Sequence, residues 1–308
     1  MTRSIPARAA RRVLWSLLRS RAKTSPSQED LSAPALFLSP HKDDETLGAG
    51  ATLLSKVAAG APVKILFFTD GRNSCQGLMS PRELSALRTE EALAAGSKMG
   101  LGKEDLIFLE LEDSRLEDFH DQAVQGVLAA LEDFRPREVY IPYKGETIED
   151  HLAARRASLE ALSRAGRPVR VHEYPVWFWF AWPWVTIPRL ALREKPAWIF
   201  SGLASGFRLL LDFNRLVPTE GLLERKREIL ACYKSQTTKL ADDPRWTTLG
   251  EIGDGAFLEC FFRAYEPFHS YDLSPSTEET LDSKNPPLPA EINKEEGVTS
   301  APNSRKGS

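Results

Sequence analysis

The chain has 308 residues, 42% hydrophobic and 27% charged, with a net charge of −3. These are the proportions of an ordinary soluble globular protein long enough to bury a full core, and the charge gives no sign of a nucleic-acid partner. Three widely spaced cysteines, Cys75, Cys232 and Cys260, exclude a disulfide scaffold and a Cys-rich zinc site; they suit a reducing compartment, so a cytoplasmic location is expected, extending at most to the inner membrane surface.

Residues 1–30 read as a basic arm. Residues 1–24 hold seven Arg/Lys and no acid. The apolar run 13–18 is too short to span a bilayer or to form a signal-peptide core. As a helix it puts Leu14, Trp15 and Leu18 on one face, with arginines around the rest. Such a pattern can lie on an anionic membrane surface; a solvated arm or a helix packed on the domain are the plainer alternatives.

From 31 to 272 strands and helices alternate. "ALFLS" (35–39), "PVKILFFT" (62–69), "DLIFLEL" (105–111), "REVYIPY" (137–143) and "VRVHEYP" (169–175) are compact apolar runs expected to be strands. Helical stretches at 46–60, 81–100, 119–134 and 150–166 lie between them, the second opening with Pro81 and three of them closing on glycine. This pattern predicts an α/β fold, a Rossmann-like, mostly parallel sheet with helices on both faces. Active sites of such sheets lie beyond the carboxyl ends of the strands, so the segments 41–45, 69–77, 111–116 and 143–151 are expected on one rim.

After Pro175 the alternation breaks. Residues 176–217 read as an aromatic-rich insertion or cap, and 176–200 hold five of the seven tryptophans. That stretch is too interrupted by proline and charge to be a membrane span. It suits a cap over the site, a sugar platform, a membrane-interfacial patch or a second small core. Helical periodicity returns at 220–234, and "AFLECFFRAY" (256–265) reads as an edge strand. Residues 273–308 are too polar to bury a core and are expected to be disordered.

Chemistry concentrates in "LSPHKDDETLG". His41 and Asp44, three apart at a strand-to-helix turn, can converge on one divalent cation, with His151 the best third ligand; His120, His172 and His269 fit less well. Two imidazoles and one carboxylate leave an open position for water, as in a catalytic zinc site. Asp43 is placed to act as a base toward that water. Helix capping by Asp43, Asp44 and Glu45 remains the alternative on these residues alone. No G-x-G-x-x-G opens the first helix, which argues against phosphate binding.

"SPHKDDETLG" resembles the "AHPDDE" signature of the PIG-L/LmbE-like zinc-dependent de-N-acetylases, which have a Rossmann-like fold and deacetylate N-acetylglucosamine conjugates. "LRTEEALAAGSKMGL" (87–101) looks like the family's R-x-x-E helix. "LEDSRL" (111–116), "VYIPYKGETIEDHLAAR" (139–155) and "KREILACYKSQ" (226–236) are similar to three further family elements. The resemblance runs from about Ala35 to Phe262. It implies His41, Asp44 and His151 as ligands of Zn2+ or another divalent transition metal. It implies Asp43 as the general base toward zinc-bound water, and Arg88 and Asp113 as substrate-binding residues. The implied substrate is an N-acetylated amino-sugar conjugate; a lipid-linked one would suit membrane contact through 1–24 or 176–200.

Two departures stand out. Lys42 replaces a proline, in what reads as an exposed loop. Ile148 replaces the first histidine of a common "H-P-D-H" signature, which leaves the zinc ion to carry more of the oxyanion's charge, or Tyr143, Lys144 or His172 to substitute. It also supports a noncatalytic carbohydrate-binding member of the fold as the alternative reading.

Overall fold

The computed structural model describes residues 5–24, 26–73, 77–185 and 195–274. The tail from 275, residues 74–76 of the second rim loop and residues 186–194 of the aromatic stretch lie outside them.

Two helices precede the sheet, α1 (Ile5–Arg21) and α2 (Gln28–Ser32). Then β1 (Ala35–Ser39), β2 (Val63–Thr69), β3 (Leu106–Leu111), β4 (Glu138–Pro142) and β5 (Val169–Tyr174) follow the alternation read from the sequence. They run parallel in the order β3-β2-β1-β4-β5. Leu36 and Leu38 of β1 enter one core with Val124 and Ala154, while Phe37 enters another with Leu47 and Leu53. A strand buried on both faces needs a continuous apolar run, which is why "ALFLS" shows no alternation.

The crossovers are α3 (Asp44–Ala58), α4 (Pro81–Met99), α5 (His120–Phe134) and α6 (Glu149–Ala165). The punctuation read from the sequence is real. Ser80 and Glu83 form a capping box ahead of Pro81, and α4 ends at Gly100 with φ 95°. Strand order reverses between β1 and β4, and at such a switch point the loops splay apart and leave a crevice.

Beyond β5 come α7 (Lys195–Asp212), β6 (Arg215–Pro218), α8 (Leu223–Leu230), α9 (Lys234–Thr237) and β7 (Tyr265–Leu273). β7 runs antiparallel to β5, and β6 lies outside it as the edge. The edge strand expected at 256–265 is therefore corrected. Phe257, Cys260 and Phe261 are buried at helical spacing, and Leu258–Phe261 is a 3-10 turn. The strand starts at Tyr265 and is interior.

The aromatic stretch is core in its described part. Trp177–Trp179 form a 3-10 turn. Trp179 stacks on Trp15 of α1 at 6.2 Å between centroids, and Trp184 meets Trp179 edge-on at 4.9 Å. The Arg263 guanidinium lies over all three rings. Trp15 and Leu18 are thus held by the protein itself, and the basic segment is a helix packed on the domain.

Helix α3 is kinked at Ala49 (φ −141°, ψ 16°). The kink frees backbone groups that must find partners in the core. Glu266 of β7 accepts from the Ala51 and Thr52 N–H groups at 2.8 Å each, and Lys226 of α8 donates to Leu47 O at 2.8 Å. The two side chains pair with each other at 2.7 Å, and both are buried. A buried ion pair thus fixes the helix that carries the acidic cluster.

Candidate metal centre

The turn after β1 is built from polar groups that lock one another. Ser39 Oγ donates to His41 O at 2.7 Å and accepts from the Glu45 N–H at 3.1 Å. Glu45 accepts from the Asp43 N–H at 3.2 Å and from the Tyr233 hydroxyl at 2.6 Å. Asp43 itself has φ 146°, a backbone conformation uncommon outside glycine, and its side chain makes no capping bond. Strain of this kind persists only where the surroundings over-determine it, and it concentrates at functional sites. The three acids therefore divide their work: Glu45 holds the turn, while Asp43 and Asp44 border the cleft.

Asp44 Oδ2 lies 3.1 Å from His41 Nδ1 and 3.2 Å from His151 Nε2, and one donor atom from each of the three residues falls within 4.8 Å of the others. His41, Asp113 and Asp150 form a second such cluster. Hydrogen bonding differs between the two mainly at Asp150: Asp44 Oδ2 accepts one backbone N–H, that of His41 at 3.0 Å, whereas both oxygens of Asp150 are taken by backbone donors. Asp150 accepts from the Ser114 and Leu116 N–H groups at 2.7 and 3.1 Å, and Asp113 accepts from the Asn73 N–H at 3.0 Å, so these carboxylates hold the loop after β3. His151 is fully buried, and both ring nitrogens sit 3.2 Å from a carboxylate oxygen without the alignment of a hydrogen bond. His41 Nε2 faces Asp150 at 3.2 Å and Asp113 at 3.4 Å. A proton assigned there leaves Nδ1 with a lone pair toward Asp44, the arrangement that orients a metal-ligating imidazole. The donor set of His41, Asp44 and His151 fits a divalent transition ion.

Charge reinforces this geometry. Burial would lower His41, but Asp113, Asp150 and Asp44 raise it well above the ordinary imidazole value. Burial opposes the charge of His151 too, yet Asp44 and Glu146 push it up to about 9. Burial would raise Asp44; His151 and His41 hold it well below the usual carboxylate range. Asp43 moves the other way, raised by burial and then by the charge of Asp44. Neighbouring carboxylates driven apart in this way are suited to different roles.

The cleft encloses about 310 Å³, at the small end for a ligand pocket. Its polar rim includes Arg88 and Asp113, and its apolar wall Ile148, Trp177, Leu249 and Phe257. Arg88 is 2% exposed, and its Nε and Nη2 have no hydrogen-bond partner among the described residues. It reaches the cleft past Gly71 (φ 74°), where a Cβ would sit 2.6 Å from its Cδ. Asp113 is held by the Asn73 N–H and by its own N–H to Asp70 Oδ1 at 3.3 Å.

Two expectations need correction. Lys42 is not in exposed loop surroundings: it is fully buried, pairs with Glu110 at 3.1 Å and donates to Asp70 O at 3.3 Å. None of Tyr143, Lys144 and His172 lines the cleft beside Ile148. Tyr143 donates to Asp212 at 2.5 Å and Lys144 pairs with the same residue at 3.2 Å. His172 bonds Ser270 within the sheet.

Glu146 was not singled out by its sequence position. Its buried carboxylate accepts from the N–H groups of Val176 (2.8 Å), Trp177 (2.6 Å) and Phe178 (3.3 Å) and lies 3.2 Å from His151 Nδ1. Gln236 also lines the cleft, placed there by Ser235, whose N–H and hydroxyl both donate to Glu91 of α4 at 2.7 Å.

Residues 36–162 match the family model described as PIG-L: GlcNAc-PI de-N-acetylase. A diacetylchitobiose deacetylase from Thermococcus kodakarensis is 30% identical over 43% of this chain and 50% of its own length. A 1D-myo-inositol 2-acetamido-2-deoxy-alpha-D-glucopyranoside deacetylase from Geodermatophilus obscurus is 29% identical over 74% of this chain and 90% of its own. The chain thus spans half of the first relative and most of the second. The solved structure of N,N'-diacetylchitobiose deacetylase from Pyrococcus horikoshii superposes with a TM-score of 0.54 at 16% identity, covering 90% of this chain and 98% of that one, and shares its fold. The segment 36–162 that matches the PIG-L model contains every side chain predicted for the site.

Proposed function

We propose that this protein is a metal-dependent hydrolase that removes the acetyl group from an N-acetylglucosamine-type sugar conjugate. The observation that carries this reading is the convergence of His41, Asp44 and His151 within 4.8 Å, beside the buried Asp43, inside the segment that matches the PIG-L model. His41, Asp44 and His151 would hold the ion, with Zn2+ the first choice for two imidazoles and a carboxylate. Such an ion acidifies water and polarises an amide carbonyl.

The chain's own groups do the rest. Asp43, held above the ordinary carboxylate range by burial and Asp44, accepts the proton of the attacking water and returns it to the departing amine. Arg88 and Asp113 hold the sugar. With an aliphatic side chain at position 148, Arg88 is the one Arg or Lys lining the cleft among the described residues, so it also faces charge developing on the acyl oxygen. The apolar wall formed by Trp177 and Phe257, stacked at 4.9 Å, excludes water and suits the hydrophobic face of a sugar ring.

The test is acetate release from a panel of N-acetylglucosamine conjugates by zinc-loaded protein, with metal content measured alongside. Chelation should abolish release. Asp43→Asn should keep its metal and lose activity by about 100-fold or more. Full zinc occupancy with no acetate released from any conjugate would overturn the reading.

A further inference from the structure

Seven large hydrophobic side chains stand out as exposed among the described residues, and six lie on two neighbouring helices. On α7 they are Phe200, Leu203, Phe207 and Leu211, exposed by 75, 48, 66 and 70%. Their spacing of three, four and four residues makes one stripe along the helix. On α1 they are Val13 and Leu17, exposed by 57 and 46% and one turn apart. The two helices pack directly, with the Leu14 side chain 3.4 Å from where a Cβ of Gly206 would lie. Scattered exposed leucines need no explanation, but a contiguous patch marks an interaction surface.

The charge beside the patch says what kind. The protein is net negative, yet residues 1–24 carry seven basic groups and no acid. Arg8, Arg12 and Arg19 are exposed along one side of α1. The acid that ends α7, Asp212, is committed to Tyr143 and Lys144. A second copy of this chain docking face to face would set arginines against arginines across a two-fold axis. An apolar stripe flanked by arginines is instead the pattern of a helix lying in the headgroup layer of an anionic bilayer.

We propose that the outward faces of α1 and α7 form a docking surface for an anionic lipid bilayer. Phe200, Leu203, Phe207, Leu211, Val13 and Leu17 enter the interface, and Arg8 and Arg12 meet lipid phosphates, while the Arg19 guanidinium lies over the Tyr265 ring at 5.1 Å. The chain lies on the membrane and does not cross it; no helix among the described residues is long and apolar enough to span a bilayer. This surface takes in the outward face of the basic segment 1–24 suggested by the sequence, and extends it along α7 from Phe200, at the end of the other suggested stretch. Trp179 and Trp184 are buried in the core and Trp177 lines the cleft, while the exposed stripe begins at Phe200. The inference does not depend on the hydrolase reading, since neither helix lines the cleft.

Sedimentation of the full chain with phosphatidylcholine vesicles, with and without about 30% phosphatidylglycerol, tests the proposal. Binding is expected to the anionic vesicles and to fall with added salt. Phe207→Ser with Leu211→Ser should lower the partition coefficient by about tenfold or more. Arg8→Glu with Arg12→Glu should lower it by about tenfold or more and remove the preference for anionic lipid. Unchanged thermal unfolding shows that the variants remain folded. Equal sedimentation with and without anionic vesicles overturns the proposal. So does sedimentation velocity showing a wild-type dimer that Phe207→Ser with Leu211→Ser converts to monomer, because the face would then belong to a second copy.

Discussion

Glu146→Gln is the sharpest probe of how the metal centre is held. The substitution keeps the shape and removes the charge. In the native protein Oε1 accepts from Val176 and Phe178, and Oε2 accepts from Trp177 and faces His151 Nδ1. A carboxamide has one acceptor oxygen. In either orientation its NH2 group confronts at least one buried N–H, and each such group left without an acceptor costs about 1–3 kcal/mol. With the NH2 toward Val176 and Phe178 two donors are orphaned, so the expected loss of stability in that orientation is about 2–6 kcal/mol.

The second consequence falls on the metal. With the NH2 toward His151 it donates to Nδ1, which moves the ring proton to Nε2, the nitrogen facing Asp44 at 3.2 Å. That proton must leave before an ion can bind. Partners of this kind typically alter metal affinity by about 10–100-fold. Chelator competition measures the zinc affinity, and urea unfolding of the metal-free protein measures the stability. A variant within about twofold of wild-type affinity, and within about 0.5 kcal/mol of its stability, would refute the role given to Glu146.

Three further substitutions have defined outcomes. Arg88→Met should leave zinc stoichiometry intact while lowering kcat/KM for acetate release by about 100-fold, from lost substrate and acyl-oxygen contacts; an unchanged kcat/KM would remove Arg88 from the site. Lys226→Met should destabilise by about 3 kcal/mol in urea unfolding because Glu266 stays buried and charged, and adding Glu266→Gln should recover part of that loss. Glu138→Gln tests pH dependence: burial alone would raise this carboxyl, but His172 and Lys56, the latter at 2.6 Å, lower it from 4.5 to about 2. A depressed carboxylate stabilises above its unfolded pKa, and its contribution fades as pH falls from about 4.5 toward 2. The variant should be weaker by about 3 kcal/mol at pH 7, and the gap to wild type should close across that acid window.

What the sequence revealed and what it hid follow one physical line. The five parallel strands were legible because strands buried on both faces are written as unbroken apolar runs, and α4 and α6 because proline and glycine mark their ends. β7 was not legible, since "YEPFHSYDL" contains a proline and carries its stabilising contacts in polar side chains. Glu266 is the example: it serves N–H groups 214 and 215 residues earlier, and no local pattern records such a partner. Lys42 misled for the same reason, with a partner, Glu110, that lies 68 residues on. His41, Asp43 and Asp44 could be found because they crowd into one turn, and His151 because it opens a helix on the same rim. Glu146 sat in a loop that was correctly placed, but its role depends on three backbone groups 30 to 32 residues away.

Those hidden contacts join parts that the sequence presents separately. Asp44 faces His151, His151 faces Glu146, and Glu146 holds the turn carrying Trp177 and Trp179. Trp177 then lines the cleft, while Trp179 stacks on Trp15 of α1. One buried carboxylate therefore sets both the second ring nitrogen of a candidate metal ligand and the position of the cleft's aromatic wall. An apolar residue at 146 would have to leave three buried N–H groups without acceptors, and a shift of the turn large enough to satisfy them elsewhere would pull Trp177 from the cleft and Trp179 from Trp15. The requirement for a carboxylate at this position thus comes from the backbone as much as from the imidazole, and it would hold in a version of this fold that bound no metal at all.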